Sequence, residues 1–401
     1  MTFKPLAGLR ILDLTSVVVG PVCTSRLAQY GAEVIKLESP EGDLMRGLSG
    51  ASPTGEHSGT YLHLNRGKRN ICLDLKKSAS QPVIERLVAS SDVIIANMRP
   101  QALERLRLDA ASIRSRCPEK IYCLISGYGT DGPYAGDPAY DSVVQAASGI
   151  TGLTLARDGQ PQYVPMVICD HVVGEIAAGV VLAAVMQQRA SGAGATLEIP
   201  MFETMASFVL QEHLAQKSFV PPVGPAGDLR LLNTHNKPVE TADGWIACTI
   251  NTDKQVRAFL QVTGRDELMD DPRFASVAAR ARNVAEWFAV RGAPLKDKTT
   301  AEWLELFKRA DIASKPCHTL ETILDDPHLN EIGFFIPDEH PTEGQTITMR
   351  SSLRVDGVPL RLQPFAQPKG WETREILAEL GYDSGEIHDL IEGESVILAG
   401  M

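Results

Sequence analysis

The chain has 401 residues, 44% of them hydrophobic and 22% charged, the composition of an ordinary globular protein with room for two domains and a large core. Its formal charge of −11 argues against general affinity for nucleic acid, so any polyanionic ligand must find a local cationic patch. Seven scattered cysteines, none in CxxC spacing, indicate neither a zinc site nor a disulfide framework and fit a reducing cytoplasm. No basic N-terminal segment leads into an apolar run, so no signal peptide is expected. The uninterrupted apolar run 176–186 is shorter than the roughly 20 residues a bilayer crossing needs, so no membrane partner is expected either.

Residues 8–38 read as strand, turn, helix, strand: a buried strand over 9–14, a loop over 15–21, a helix over 22–30 stopped by Gly31, and a second strand over 33–37. A parallel pair with a helical crossover is the expected unit, the start of a nucleotide-handling α/β domain. Its turn, Ser16-Val-Val-Val-Gly20, lacks the GxGxxG fingerprint. Glu38 nevertheless ends the second strand where a dinucleotide fold puts its ribose-binding acid, so one feature of nicotinamide binding stands without the others.

Five cations follow within a short span, Arg66, Lys68, Arg69, Lys76 and Lys77, around a strand over 70–75. In an acidic chain they read either as a solvated surface run or as a phosphate site. A helix over 81–89 and a strand over 92–96 put Asn97-Met-Arg-Pro100 in the loop where open α/β sheets bind ligands, and a helix from 102 brings Arg105 near that loop. The strand 120–126 ends in a glycine- and proline-rich loop, 127–138, suited to close backbone approach of a ligand or to a plain long connection. Tyr140-Asp141 and a helix over 143–147 come next. Residues 150–156 and 161–168 read as paired strands joined through Asp158-Gly159, a hairpin signal.

The stretch 163–175 organises the rest. A lone carboxylate, Asp170, stands between an extended apolar segment and a long apolar helix. Burying such a group is costly unless it is hydrogen-bonded or used. It reads as a helix N-cap, or as a nucleophile held at a helix start where the macrodipole favours the ionised form, and the two readings are compatible. Cys169 and His171 suggest a rival thiol hydrolase, but adjacent residues point in different directions and do not readily serve one another. His171 and Glu175 have the i,i+4 spacing of a metal pair or of a surface pair, and no metal is expected.

Beyond a short strand over 195–199 and a helix over 201–216, composition shifts at 219–227, a proline-rich linker. Strands over 237–241 and 244–249 and helices near 253–263, 283–290 and 300–310 make a smaller α/β domain. The expected organisation is a large domain over 1–218, the linker 219–227, a small domain over 228–336, a second proline-rich linker over 337–344, and a C-terminal segment over 345–401. That last segment carries a strand near 345–354 and helices over 373–380 and 384–391.

Residues 9–20, 31–38, 65–76, 92–105, 127–149, 164–178 and 201–208 together resemble the class III coenzyme A transferases, the formyl-CoA and carnitine type, in order and spacing. The resemblance implies a large nucleotide-binding-like domain with a parallel sheet, a small α/β domain, a C-terminal tail returning to the large domain, and an interlocked homodimer. It implies that Asp170 carries the acyl group and that Val18, Leu73, Lys76, Asn97, Met98, Arg105, Tyr140 and Asp141 contact coenzyme A. The partners are then an acyl-CoA and a small carboxylic acid, with coenzyme A as substrate and no prosthetic group. Formyl-CoA transferases have a glutamine where this chain has Val18, and a run of glycines that is missing around 233–241, which argues against formyl and oxalate substrates. Donors to the oxyanion are not placed, though the loop after Ile250 is one place for them. Two alternatives stand beside the transferase. A 2-methylacyl-CoA racemase of the same superfamily has a histidine–aspartate dipeptide where this chain has Tyr140-Asp141, leaving only His63 or His171 to approach in space. A non-catalytic coenzyme A-binding protein would keep the cationic patch without needing Asp170.

Overall fold

The structure is a computed structural model that describes residues 3–400. The chain forms two compact units, one comprising the residues up to Ser148, Tyr163–Phe208 and the segment from Glu331 onward, the other Gly149–Gln162 and Val209–Asn330.

In the first unit six strands run parallel: β1 (Arg10–Leu14), β2 (Glu33–Glu38), β3 (Lys68–Leu73), β4 (Val93–Ala96), β5 (Ile121–Ser126) and β6 (Ala195–Pro200). The sheet order is β3-β2-β1-β4-β5-β6, and a strand at Val396–Ile397 is added antiparallel at the free edge of β3. Continuous apolar runs such as Val93-Ile-Ile-Ala96 suit strands covered on both faces. One core joins Leu12, Ile35, Ile71 and Ile94 to Ile376, Leu377, Leu390 and Ile391 of the tail helices Thr373–Glu379 and Ser384–Glu392. The C-terminal segment is thus built into the large sheet. Strand order reverses between β1 and β4, so the loops after these two strands diverge and leave a crevice at their carboxyl ends.

A first helix, Val19–Gln29, packs on a long helix, Ile168–Ser191. Gly174 permits the contact: a Cβ there would lie 2.5 Å from the Val19 carbonyl oxygen. The long helix extends beyond the apolar run expected at 176–186, and by length and composition it is long and apolar enough to cross a membrane. Half of that apolar stretch is buried within the protein, as in the core helix of a globular unit.

Two expectations are corrected. Residues 150–158 are a helix, Ile150–Asp158, not a strand, and no strand forms over 161–168. Gly149 and Gly159, both with positive φ, cap this helix at its two ends, so the Asp158-Gly159 pair is a helix stop rather than a hairpin turn. Residues 337–344, expected as a linker, belong to a hairpin in which Phe335–His340 pairs with Gly344–Met349. Pro337 is tolerated there because a two-stranded ribbon consists of edge strands.

The second unit holds a three-stranded antiparallel sheet of Val239–Glu240, Trp245–Thr249 and Ala313–Pro316. Helices around it bury Phe259, Phe274, Trp287, Trp303 and Phe307. Thr252 with Gln255 and Thr299 with Glu302 form capping boxes that start two of these helices.

Candidate active site

A cleft of about 300 Å³ occupies the crevice where the sheet order reverses. Its walls are Ser16–Val19 after β1, Asn97–Pro100 after β4, Ser126–Tyr128 after β5, Gly136–Tyr140, Asp170 and Met201, all within the first unit. Asn97 fastens two of these loops, accepting from the Ser16 N–H at 3.0 Å and donating to the Ser16 carbonyl at 2.9 Å.

Asp170 is the third residue of the long helix, not its cap; Val167 holds the cap position and makes no side-chain bond there. The N–H groups of the first turn, which have no partner within the helix, are satisfied from elsewhere. Asp141 Oδ1 accepts from the Cys169 N–H at 2.7 Å and the Asp170 N–H at 3.3 Å. Asp141 opens the helix Asp141–Ala147, and Gln145 lies one turn further on. Gln145 Nε2 donates to Asp141 Oδ2 at 2.6 Å and to the Met166 carbonyl at 3.1 Å, while Oε1 accepts from the Val164 N–H at 2.9 Å. The Asp141–Gln145 pair therefore fixes the segment 164–170 that delivers Asp170 to the cleft. Gln145 escaped the sequence reading; its i,i+4 spacing from Asp141 was the available signal.

The Asp170 carboxyl is pushed up to about 7, chiefly by burial and secondarily by the negative charge of Asp141. The helix start was expected to keep this group ionised; burial outweighs it. The Cys169 thiol is fully buried and pushed up to about 12 by burial and the two carboxylates. His171 lines a different cleft, so the Cys–His pair does not form.

Of the positions carried over for coenzyme A, Val18, Asn97, Met98 and Tyr140 share the cleft with Asp170. Val18 buries its side chain in a small core with Val22, Tyr61 and Phe365. Asp141 stands behind Asp170 rather than in the wall. Leu73, Lys76 and Arg105 do not line the cleft. Leu73 is fully buried, and its main chain faces Val396 of the terminal strand, so it has no side-chain surface for a ligand. Arg105 is exposed and donates to the Gln101 carbonyl; Lys76 is exposed beside Glu41.

The cationic cluster disperses. Lys68 is buried against Asp13 at 3.0 Å, Arg69 pairs with Glu33 and Glu379, Arg66 with Asp338, and Lys77 with Glu394. Glu38, considered as a ribose acid, accepts from Arg46, Tyr61, Asn70 and the Asp43 N–H and is spent inside the fold. Nicotinamide binding thereby loses its one supporting feature.

Residues 6–373 match the sequence profile of CoA-transferase family III. The chain belongs to this family. As a class III CoA-transferase it is 30% identical over 389 residues to succinate–glutarate CoA-transferase of Agrobacterium fabrum, covering 94% of this chain and 96% of that protein. It is 32% identical over 335 residues to a probable fatty acyl-CoA transferase of Mycobacterium tuberculosis, covering 81% of this chain and 85% of the other. Among solved structures it resembles a CAIB/BAIF family protein from Brucella suis with a TM-score of 0.80 and 27% identity, covering 94% of this chain and 100% of that one.

Because Asp141 is the second cause of the raised Asp170 carboxyl, Asp141→Asn should let Asp170 ionise at lower pH while its Oδ1 still accepts from the helix. On the reading proposed below, in which ionised Asp170 reacts, the acid limb of kcat/KM against pH for this CoA-transferase should then move to lower pH. A limb that stays put or moves upward would count against the coupling.

Proposed function

We propose that Asp170 is the nucleophile of coenzyme A transfer between carboxylic acids. The ionised Oδ attacks the thioester carbonyl carbon of a donor acyl-CoA, the C–S bond breaks, and coenzyme A leaves as thiolate, giving a mixed anhydride on Asp170. The thiolate attacks the aspartyl carbonyl and expels the donor carboxylate, leaving an aspartyl thioester. The acceptor carboxylate repeats these steps in reverse, so thioester energy is conserved throughout. The observation that carries this reading is a nine-tenths buried carboxylate, pushed up to about 7 by burial, in the cleft at the strand-order reversal.

Coenzyme A would lie in the cleft against Val18, Asn97, Met98 and Tyr140, with the exposed cations Lys76 and Arg105 available to its phosphates. The acceptors to test first are four- and five-carbon dicarboxylic acids, because a relative aligned over nearly its whole length is named for succinate and glutarate. The racemase reading needs a second proton-transfer group, and among the described residues no histidine lines this cleft; His63 and His171 both line another. A homodimer agrees with the exposed apolar side chains Tyr163, Met166, Val167 and Ile176 around the start of the long helix, and seven free cysteines agree with a reducing cytoplasm.

The test is chemical trapping. Protein incubated with succinyl-CoA, treated with borohydride or hydroxylamine and digested should carry its modification on the peptide containing Asp170. An adduct on Cys169 instead, or none during turnover, would sink the reading.

A further inference from the structure

The second unit contains a cleft of about 710 Å³ that the reaction described above does not use. Among the described residues four cations line it, Arg230, Lys237, Arg280 and Arg291, and no carboxylate does, in a chain of net charge −11. Two of the four are committed: Arg230 to Asp228, and Arg280 to Asp253 and the carbonyls of Asn251 and Phe274. Arg291 is not. It is more than nine-tenths buried and its guanidinium sits 4.5 Å over the Phe288 ring. Among the described residues no carboxylate lies within ion-pair distance of it, and its buried Nε–H has no acceptor. Lys237 likewise has no ion-pair partner there.

Guanidinium groups are seldom buried without a counter-charge, because the desolvation penalty is then uncompensated. Burial indeed lowers the Arg291 pKa from its ordinary value. The rest of the wall is apolar, with Trp287, Phe288, Val277 and Val284. A bidentate donor fork set beside an apolar surface matches an anion that is planar at one end and hydrocarbon at the other.

We propose that this cleft binds an organic carboxylate with a short hydrocarbon body, its carboxylate on Arg291 and its chain against Trp287 and Val284. A free phosphate offers the same charge without the hydrocarbon body, and the two are separable by experiment. Binding here does not depend on the aspartyl relay, so it is measured on full-length Asp170→Asn protein, in which no acyl adduct can form.

Calorimetric titration uses glutarate, hexanoate and inorganic phosphate as probes, on that protein and on the same protein carrying Arg291→Gln or Arg291→Lys. Glutarate or hexanoate should bind, at least tenfold more weakly after Arg291→Gln, with partial recovery in Arg291→Lys. Phosphate should bind at least tenfold more weakly than the better acid. Because Arg291 has no carboxylate partner among the described residues, Arg291→Gln should melt no lower than its parent without ligand, and the carboxylate should raise the Tm of the parent most, of Arg291→Lys less and of Arg291→Gln least. Unchanged affinity after Arg291→Gln would overturn the proposal. So would a lowered Tm with unaltered binding, phosphate binding as tight as the acids, or no binding of either acid.

Discussion

Replacing Asp170 with Asn should abolish coenzyme A transfer and, above neutral pH, make the folded chain more stable. On the proposed mechanism activity falls because an amide cannot open the thioester; a loss of at least about 10³-fold, on the order of 4 kcal/mol in activation free energy, is expected. Stability rises because the folded protein holds Asp170 with its carboxyl pushed up to about 7, by burial first and Asp141 second, against an ordinary value of 3.8. The folded state therefore binds this proton more tightly than the unfolded state does. Its favourable contribution is complete below about pH 4 and is lost as pH rises toward 7. Three pH units correspond to about 4 kcal/mol at most, and relaxation around the charge reduces this to roughly 1–3 kcal/mol. Urea unfolding at pH 8 should show Asp170→Asn more stable than the parent, with the advantage shrinking toward pH 4. Equal stabilities at pH 8 would mean that the carboxylate is not the strained group described here.

Asp13→Ala should be the most damaging substitution in the sheet. Burial by itself raises the Asp13 carboxyl, but Lys68, Lys36 and hydrogen bonds from Thr15 and Thr24 outweigh it and hold the group at about 2. The side chain accepts from the Thr15 N–H at 2.9 Å and from Thr24 Oγ1 at 2.6 Å, and it faces Lys68 Nζ at 3.0 Å. Removing it leaves the buried Lys68 ammonium without its counter-charge and the Thr15 hydroxyl without its acceptor, which costs about 3–5 kcal/mol. In the parent protein this contribution is present above the ordinary carboxylate range and is lost as pH falls toward 2. Because Thr15 leads directly into the cleft wall at Ser16–Val19, KM for acyl-CoA should rise as well. A loss of stability under about 1 kcal/mol at pH 7 would contradict the account.

Local signals carried the strands and failed where distant partners decide. The runs at 9–14 and 92–96 read correctly because strands buried on both faces are apolar without a break. Asp158-Gly159 misled because the same dipeptide ends a helix as well as it turns a hairpin. The cations from Arg66 to Lys77 could be read as a solvated run or as a phosphate patch because nothing nearby announces their acids. Asp13 lies 55 residues upstream of Lys68, while Asp338, Glu379 and Glu394 come from the far end of the chain. The position of Asp170 at a helix start was legible in the sequence. Its protonation was not, because burial is a property of the finished fold and the acid facing it is 29 residues away.

The edge strand Val396–Ile397 closes the sheet against β3, from which more than 300 residues separate it in the chain. While the protein is being synthesised, the edge of β3 at Cys72 and Leu73 must wait with its backbone groups paired only to water. At about 5–20 residues per second that wait lasts on the order of tens of seconds. An unpaired edge is a template for joining another chain. The interval between emergence of β3 and arrival of its last neighbour is therefore when a nascent chain is most exposed to mispairing on a crowded polysome. Chaperone dependence of this protein should track elongation rate through residues 74–396 more than the stability of the finished fold.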